Sequence, residues 1–267
     1  MKQYLDLVAR IIREGEPRDD RTGVGTLAVF GANLEFDLRE RFPLVTAKET
    51  RWKVAFLEML WFLRGSDTTR WLHDHGSKLW DAWADSDGGL GPIYGAQWRS
   101  WYDSLSGDSI DQVHELIHSL RTAPDGRRHL VTAWNVAELG HMALPPCHWA
   151  HQCYVSNDGH LDLKLFLRSS DVALGLPFNI AQYALLTHLY ARAADLKPRR
   201  LLVDIGDAHL YSNHVDAMQR VLADGPVDDN ARLVIRTDNT DIDGYKPEDF
   251  DIEGYNPRPF VKLEVAV

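Results

Sequence analysis

Apolar residues recur along this chain with two periods, and the places where the period changes mark its elements. Tyr4, Leu5, Val8, Ile11 and Ile12 fall at helical spacing over 2–14, and Gly15 with Pro17 ends the run. The spacing predicts an amphipathic first helix. A second helix is expected over 51–63, where Val54, Leu57, Leu60 and Trp61 share a face. A third is expected over 108–121, with Ile110, Val113, Leu116, Ile117 and Leu120 turned inward and Pro124-Asp125-Gly126 as its stop. Over 180–195 the apolar positions run nearly all round, so that helix is expected at the buried centre. A further helix is expected over 213–222.

The alternating period marks the strands. Leu161, Leu163, Leu165 and Leu167 alternate against Asp162, Lys164, Phe166 and Arg168, so one face of a strand over 161–168 is wholly apolar. Shorter strands are expected over 130–134, 151–155, 201–205, 233–237 and, at the C-terminus, 260–265. Residues 26–30 and 33–38 read as a short strand pair around Gly31. With no internal repeat or linker, the order of elements predicts one α+β domain over 1–267, its mixed, mostly antiparallel sheet packed against helices.

Composition narrows the function classes. A chain of 267 residues with 45% apolar and 25% charged residues can bury an ample core. Its formal net charge of -10 argues against a general nucleic-acid binder, since a phosphate backbone requires a basic face. An anionic ligand would need a local arginine cluster. Two cysteines in unlike settings make no disulfide framework, and there is neither an apolar leader nor an apolar run of membrane-spanning length, so a cytoplasmic protein is expected, with no membrane partner.

Candidate chemistry gathers at a few positions. Pro145-Pro146 stiffens the approach to Cys147, which His148 follows and toward which Arg168 can fold; cationic neighbours favour the nucleophilic thiolate. Cys147 is thus a candidate nucleophile, although on adjacency alone a buried structural thiol, the role expected of Cys153, is more in keeping with cysteine's habits. Arg21, in a loop beside Asp19 and Asp20, reads by itself as half of a surface ion pair. Glu58 interrupts an apolar helical run; it is either a desolvated carboxyl of raised pKa or half of a solvent-side ion pair, and flanking Leu57, Met59 and Leu60 favour the first. Arg127-Arg128 would ordinarily be solvated.

Several blocks in order resemble the folate-dependent thymidylate synthase family: Asp20 to Gly23, Phe42 to Leu44, Glu58 to Phe62, Trp80 to Trp83, Gly91 to Gly95, Arg127-Arg128, Ala143 to His148, Arg168 to Asp171, Gly175 to Ile180, Gly206 to Tyr211 and Ile252 to Tyr255. The resemblance implies methylation at C5 of dUMP with 5,10-methylenetetrahydrofolate as co-substrate, and no metal. It makes Cys147 the nucleophile that adds at C6, Asn179 the reader of the pyrimidine edge, Glu58 a proton shuttle, Tyr94 an aid to proton removal and Trp80 a wall on the one-carbon unit. Arg21, Arg168 and Ser169 would hold the phosphate, with Arg127 and Arg128 reaching it from the other subunit of a homodimer. His209 and Tyr211 would hold the sugar 3′-hydroxyl. Asp171 would position the pterin, with Trp80, Trp83 and the C-terminal Val267 completing the folate site.

The chain also departs from the family's habit. It has Phe166-Leu167 where Tyr-Gln is usual, Glu49 where a basic residue usually follows Lys48, and Ala150 and His151 in place of large aromatics. Related enzymes let water attack the methylene intermediate and make a 5-hydroxymethyl pyrimidine, so a dUMP or dCMP hydroxymethylase is the alternative implied; a non-catalytic nucleotide or RNA binder is a third class. Trp80 favours methylation, and Asn179 favours uracil over cytosine.

Overall fold

A computed structural model describes residues 1–227 and 230–266. In chain order its first half comprises α1 (Lys2–Glu14), β1 (Glu16–Arg18), β2 (Thr26–Asp37), α2 (Trp52–Leu63), α3 (Arg70–Asp74), α4 (Tyr94–Arg99), β3 (Trp101–Tyr102), β4 (Ser109–Ile110) and α5 (Gln112–Thr122). The second half comprises β5 (Leu130–Thr132), β6 (His148–Val155), β7 (His160–Asp171), α6 (Gly175–Ala193), β8 (Lys197–Tyr211), α7 (Val215–Asp224), β9 (Arg232–Ile235) and β10 (Phe250–Glu253).

The fold is α+β. Six strands form one sheet in the order β1-β2-β8-β7-β6-β5, and only the β7–β8 pair is parallel. The parallel pair needs a crossover, and α6 supplies it. Helices α2 and α6 pack on each other as the core of the helical layer, each buried nearly all round because its sequence is apolar on every face. Helix α1 buries Tyr4, Leu5, Val8 and Ile11 as its spacing predicts, with Leu7 buried as well and Ile12 only partly so.

Several expected boundaries change. Residues 26–37 form one continuous strand: β2 keeps register with β8 on both sides of Gly31, from Phe30↔Asp207 to Ala32↔Ile205. Gly31, at φ +83°, takes a left-handed backbone that glycine allows, and the strand continues through it without reversing. Helix α5 starts late because Ser109 and Ile110 pair with Trp101 and Tyr102, and Asp111 caps the helix by accepting from the His114 N–H. Helix α6 begins at Gly175, so Asn179 lies within it.

The C-terminal strand expected over 260–265 does not form. Val261 and Leu263 do pack on the core, but the segment is held by Arg51 over the Phe260 ring at 4.2 Å and by His214 donating to the Glu264 carbonyl at 2.8 Å. The alternation was real and the backbone partner was missing. Val267 lies outside the described residues.

Two glycines allow the close approaches on which the site depends. A Cβ at Gly206 in β8 would meet the Arg168 carbonyl oxygen of β7 at 2.7 Å, and one at Gly95 in α4 would meet the Phe62 carbonyl oxygen of α2, also at 2.7 Å. The first brings the strand bearing His209 against the one bearing Arg168; the second seats Tyr94 over α2, beside Glu58.

Candidate active site

Cys147 stands at the mouth of β6, half-buried, where the rigid Pro145-Pro146 approach ends. The Arg168 guanidinium donates through Nε to the Pro146 carbonyl and through Nη2 to the Pro145 carbonyl, each at 2.9 Å, which leaves Nη2 3.7 Å from the Cys147 Sγ. Burial pushes the thiol's pKa up, and the Arg168 charge opposes that rise. The backbone N–H of Cys147 donates to the Tyr94 hydroxyl at 2.8 Å.

His148 does not supply the cation that Cys-His adjacency suggests. Its ring lies stacked on Tyr94 at 3.9 Å, Nδ1 shares a hydrogen bond with the Tyr183 hydroxyl at 2.8 Å, and burial depresses its pKa to about 3. It is neutral. Of the two neighbours proposed to favour the thiolate, Arg168 alone is a cation.

Glu58 is 9% exposed, and no solvent-side ion pair is found for it among the described residues. Oε1 accepts from Trp80 Nε1 at 2.6 Å, and Oε2 accepts from Gln182 Nε2 at 2.5 Å. Burial raises its pKa to about 7, and the two hydrogen bonds limit the rise. Trp80 in turn packs on Trp83 at 5.5 Å and on Tyr94 at 5.9 Å, so an aromatic wall stands beside the carboxyl. Asn179, on the first turns of α6, donates from Nδ2 to Gln182 Oε1 at 3.2 Å.

The sheet lines up a second group. In the parallel β7–β8 register Ser169 sits beside Asp207 and Asp171 beside His209, while Tyr211 is 5.3 Å from His209 ring to ring. Asp207 accepts from His209 Nδ1 at 2.8 Å, which fixes the ring and frees Nε2. Asp171 Oδ1 accepts from the Ala173 and Leu174 N–H groups, at 2.8 and 3.1 Å. Lys48, 4% exposed, is held down to about 8 by burial, against which Asp171 acts.

Arg21 is exposed, and among the described residues no ion pair engages it. Its neighbour Asp20 instead organises the loop, accepting from the Thr22 N–H and hydroxyl and from the Gly25 N–H. Arg127 and Arg128 are likewise exposed, on the rim of an open cavity of about 530 Å³ with Gly126 and His129. The Arg127 carbonyl meets Gln152, five residues along β6 from Cys147 and so roughly 16 Å away. The fold does not bring these two arginines to their own chain's thiol.

Gln182, Lys48 and Tyr183 were missed in the sequence. The available signal was their polarity inside apolar runs, Gln182 and Tyr183 within α6 and Lys48 after Leu44, Val45 and Ala47. Of the departures, Leu167, Ala150 and His151 are buried, with His151 Nε2 on the Tyr190 hydroxyl at 3.1 Å, whereas Glu49 is exposed. A possible cation-ligand group, His114 with Asp241 and Asp243, is exposed and already engaged by Arg99, whose Nη1 lies 2.6 Å from Asp243. No helix among the described residues is long and apolar enough to cross a membrane.

The family model described as thymidylate synthase matches residues 2–267. The chain therefore belongs to the thymidylate synthase family, and it is a folate-dependent enzyme of one-carbon transfer to C5 of dUMP, by methylation or hydroxymethylation.

Proposed function

From that membership we propose that the chain is a thymidylate synthase: one catalytic domain over 1–267, working in the cytoplasm as a homodimer, that methylates dUMP to dTMP. The observation that carries the reading is the convergence around Tyr94 of a rigidly presented thiol under Arg168, a buried carboxyl whose pKa burial raises to about 7, and a tryptophan hydrogen-bonded to that carboxyl.

C5 of uracil is a poor nucleophile until a thiolate adds at C6 and sends charge toward O4. Cys147 makes that bond. Asn179 donates to O4 and accepts from N3–H, which stabilises the enolate. Arg21, Arg168 and Ser169 take the phosphate, joined by Arg127 and Arg128 of the other subunit, and His209 with Tyr211 takes the sugar hydroxyl. Exposed Arg127 and Arg128 suit that exchange, because they stand far from their own thiol.

The aromatic wall of Trp80 and Trp83 and the second carboxylate oxygen of Asp171 fit a flat pterin with N–H donors. The folate supplies the methylene and then a hydride. Glu58, near its midpoint at neutral pH, can both give and take the protons this requires, and Tyr94 stands beside Cys147 to help remove the C5 proton. Trp80 walls the methylene from water, and Val267 would close the cleft over it.

Incubation with dUMP and methylenetetrahydrofolate, with the product identified by mass, tests the reading. A product one oxygen heavier than dTMP would make the enzyme a hydroxymethylase instead. No modified nucleotide at all would overturn the proposal.

A further inference from the structure

Gln182 lies one turn beyond Asn179 in α6, among the buried side chains of Ile180, Tyr183, Leu185 and Leu186, and is itself 1% exposed. A buried amide must be paired, and this one joins two site residues. Nε2 donates to Glu58 Oε2 at 2.5 Å, and Oε1 accepts from Asn179 Nδ2 at 3.2 Å.

Each link has a direction. An indole N–H can only donate, so the Trp80 contact at 2.6 Å keeps Glu58 Oε1 an acceptor. A proton taken up by Glu58 therefore settles on Oε2, the oxygen that faces Gln182. Oε2 then becomes a donor and calls for the Gln182 carbonyl. If the Gln182 amide turns over, its NH₂ faces Asn179, which must answer with Oδ1. An ionised Glu58 holds the opposite order along the whole file.

We propose that Gln182 is a positioning residue that couples the ionisation of Glu58 to the orientation of the Asn179 carboxamide, so that the site selects uracil with Glu58 ionised and admits cytosine with Glu58 protonated. The inference rests on the reading of Asn179 as the residue at the base edge. In the ionised arrangement Asn179 offers N–H toward position 4 and C=O toward N3, the complement of uracil; turned over, it offers C=O to the cytosine amino group and N–H to cytosine N3.

The surroundings leave Glu58 as the group that switches. Burial brings it to about 7. Facing it are Tyr94 from α4 and Tyr183 from α6, both raised well above their ordinary values by burial, and beyond Tyr94 the Cys147 thiol, also raised. His148 from β6 is held neutral by a pKa near 3. No charged side chain makes an ion pair with Glu58 among the described residues.

The test is binding without chemistry. Dissociation constants for dUMP and dCMP are measured without folate at about pH 5.5 and 8.5, on either side of the Glu58 midpoint, for wild type, Gln182→Met and Glu58→Gln. The nucleotide phosphate also titrates, near 6, but identically in both ligands, so it cancels in their ratio. Wild type should lose about tenfold of its preference for dUMP between the higher and the lower pH, the worth of a reversed buried hydrogen bond. Both variants should give a ratio that does not move with pH. A wild-type ratio flat across this range refutes the coupling, and so does a Gln182→Met protein that keeps the wild-type dependence. Should Gln182→Met fail to fold, the wild-type and Glu58→Gln ratios decide alone. A protein that binds neither nucleotide refutes the proposed function and this inference with it; one that prefers dUMP equally at both pH values refutes the inference only.

Discussion

Glu58→Gln should make the protein more stable and less active, with a stability gain that depends on pH in a calculable way. The folded carboxyl titrates at about 7 and the unfolded one near 4.5. Below 4.5 both states are protonated and the group costs nothing. Between 4.5 and 7 the unfolded chain gives up the proton while the folded chain keeps it, so stability falls as pH rises. Above 7 the loss is complete, and the difference of about 2.5 pH units corresponds to roughly 3 kcal/mol.

Glutamine escapes this cost and keeps the contacts: its carbonyl can accept from Trp80 Nε1, and its NH₂ can meet a turned-over Gln182. Urea unfolding of both proteins from about pH 4.5 to 8, at one protein concentration, reads the difference directly. The variant should match wild type at the acid end and exceed it by about 2–3 kcal/mol at the alkaline end, equivalent to a Tm roughly 5–10 °C higher. Turnover should fall by at least about a hundredfold, the usual worth of a general acid–base. A stability difference that stays constant with pH would show that Glu58 is not held above its ordinary pKa, and the proton-shuttle role would fall with it.

Cys147→Ser should abolish turnover while leaving nucleotide binding largely intact, because an alkoxide is far harder to form than a thiolate; product formation within tenfold of wild type would end the nucleophile assignment. Mixing inactive Arg128→Ala with inactive Cys147→Ser subunits should restore activity in the mixed dimers, where one site has both a thiol and an intact partner arginine, and a mixture that stays dead after verified exchange would count against shared sites. His148 and His151, depressed to about 3 by burial, lend stability that is present above pH 6.5 and lost as pH falls toward 3. His151→Phe should therefore flatten the acid loss by about 1.4 kcal/mol per pH unit, read from urea midpoints between about pH 6.5 and 4; an unchanged slope would mean that His151 is already charged in the fold.

The parts of the fold legible in the chain were those with one dominant local signal. The apolar stripe of α1, the all-round apolar α6 and the leucine alternation of β7 each have a single burial that satisfies them, and each formed. Failures came where tertiary pairing decided. Pro17 reads as a stop, yet β1 can hold it as an edge strand on β2. Phe260 to Val265 alternates like a strand but pairs with no strand among the described residues. Site residues were legible where a motif carried them, and the roles of groups between motifs were not. The Cys147-His148 adjacency cannot reveal that the histidine ring will be buried against Tyr94 and Tyr183 and so lose its charge.

That loss of charge has a consequence for how the thiol is activated. With His148 neutral and Lys48 set against Asp171, Arg168 is, among the described residues, the cation found within reach of Cys147. The same guanidinium is proposed to hold the substrate phosphate, and two of its N–H groups are already committed to the carbonyls of Pro145 and Pro146. Those two bonds stiffen the guanidinium, so it can hold an oxyanion and face Sγ without choosing between them; Arg has five donors, and the prolines take two. A lysine could not divide itself this way, since its single charged nitrogen would follow the phosphate and leave the thiol buried and protonated. The double proline thus aims the thiol and holds in place the charge that the thiol needs.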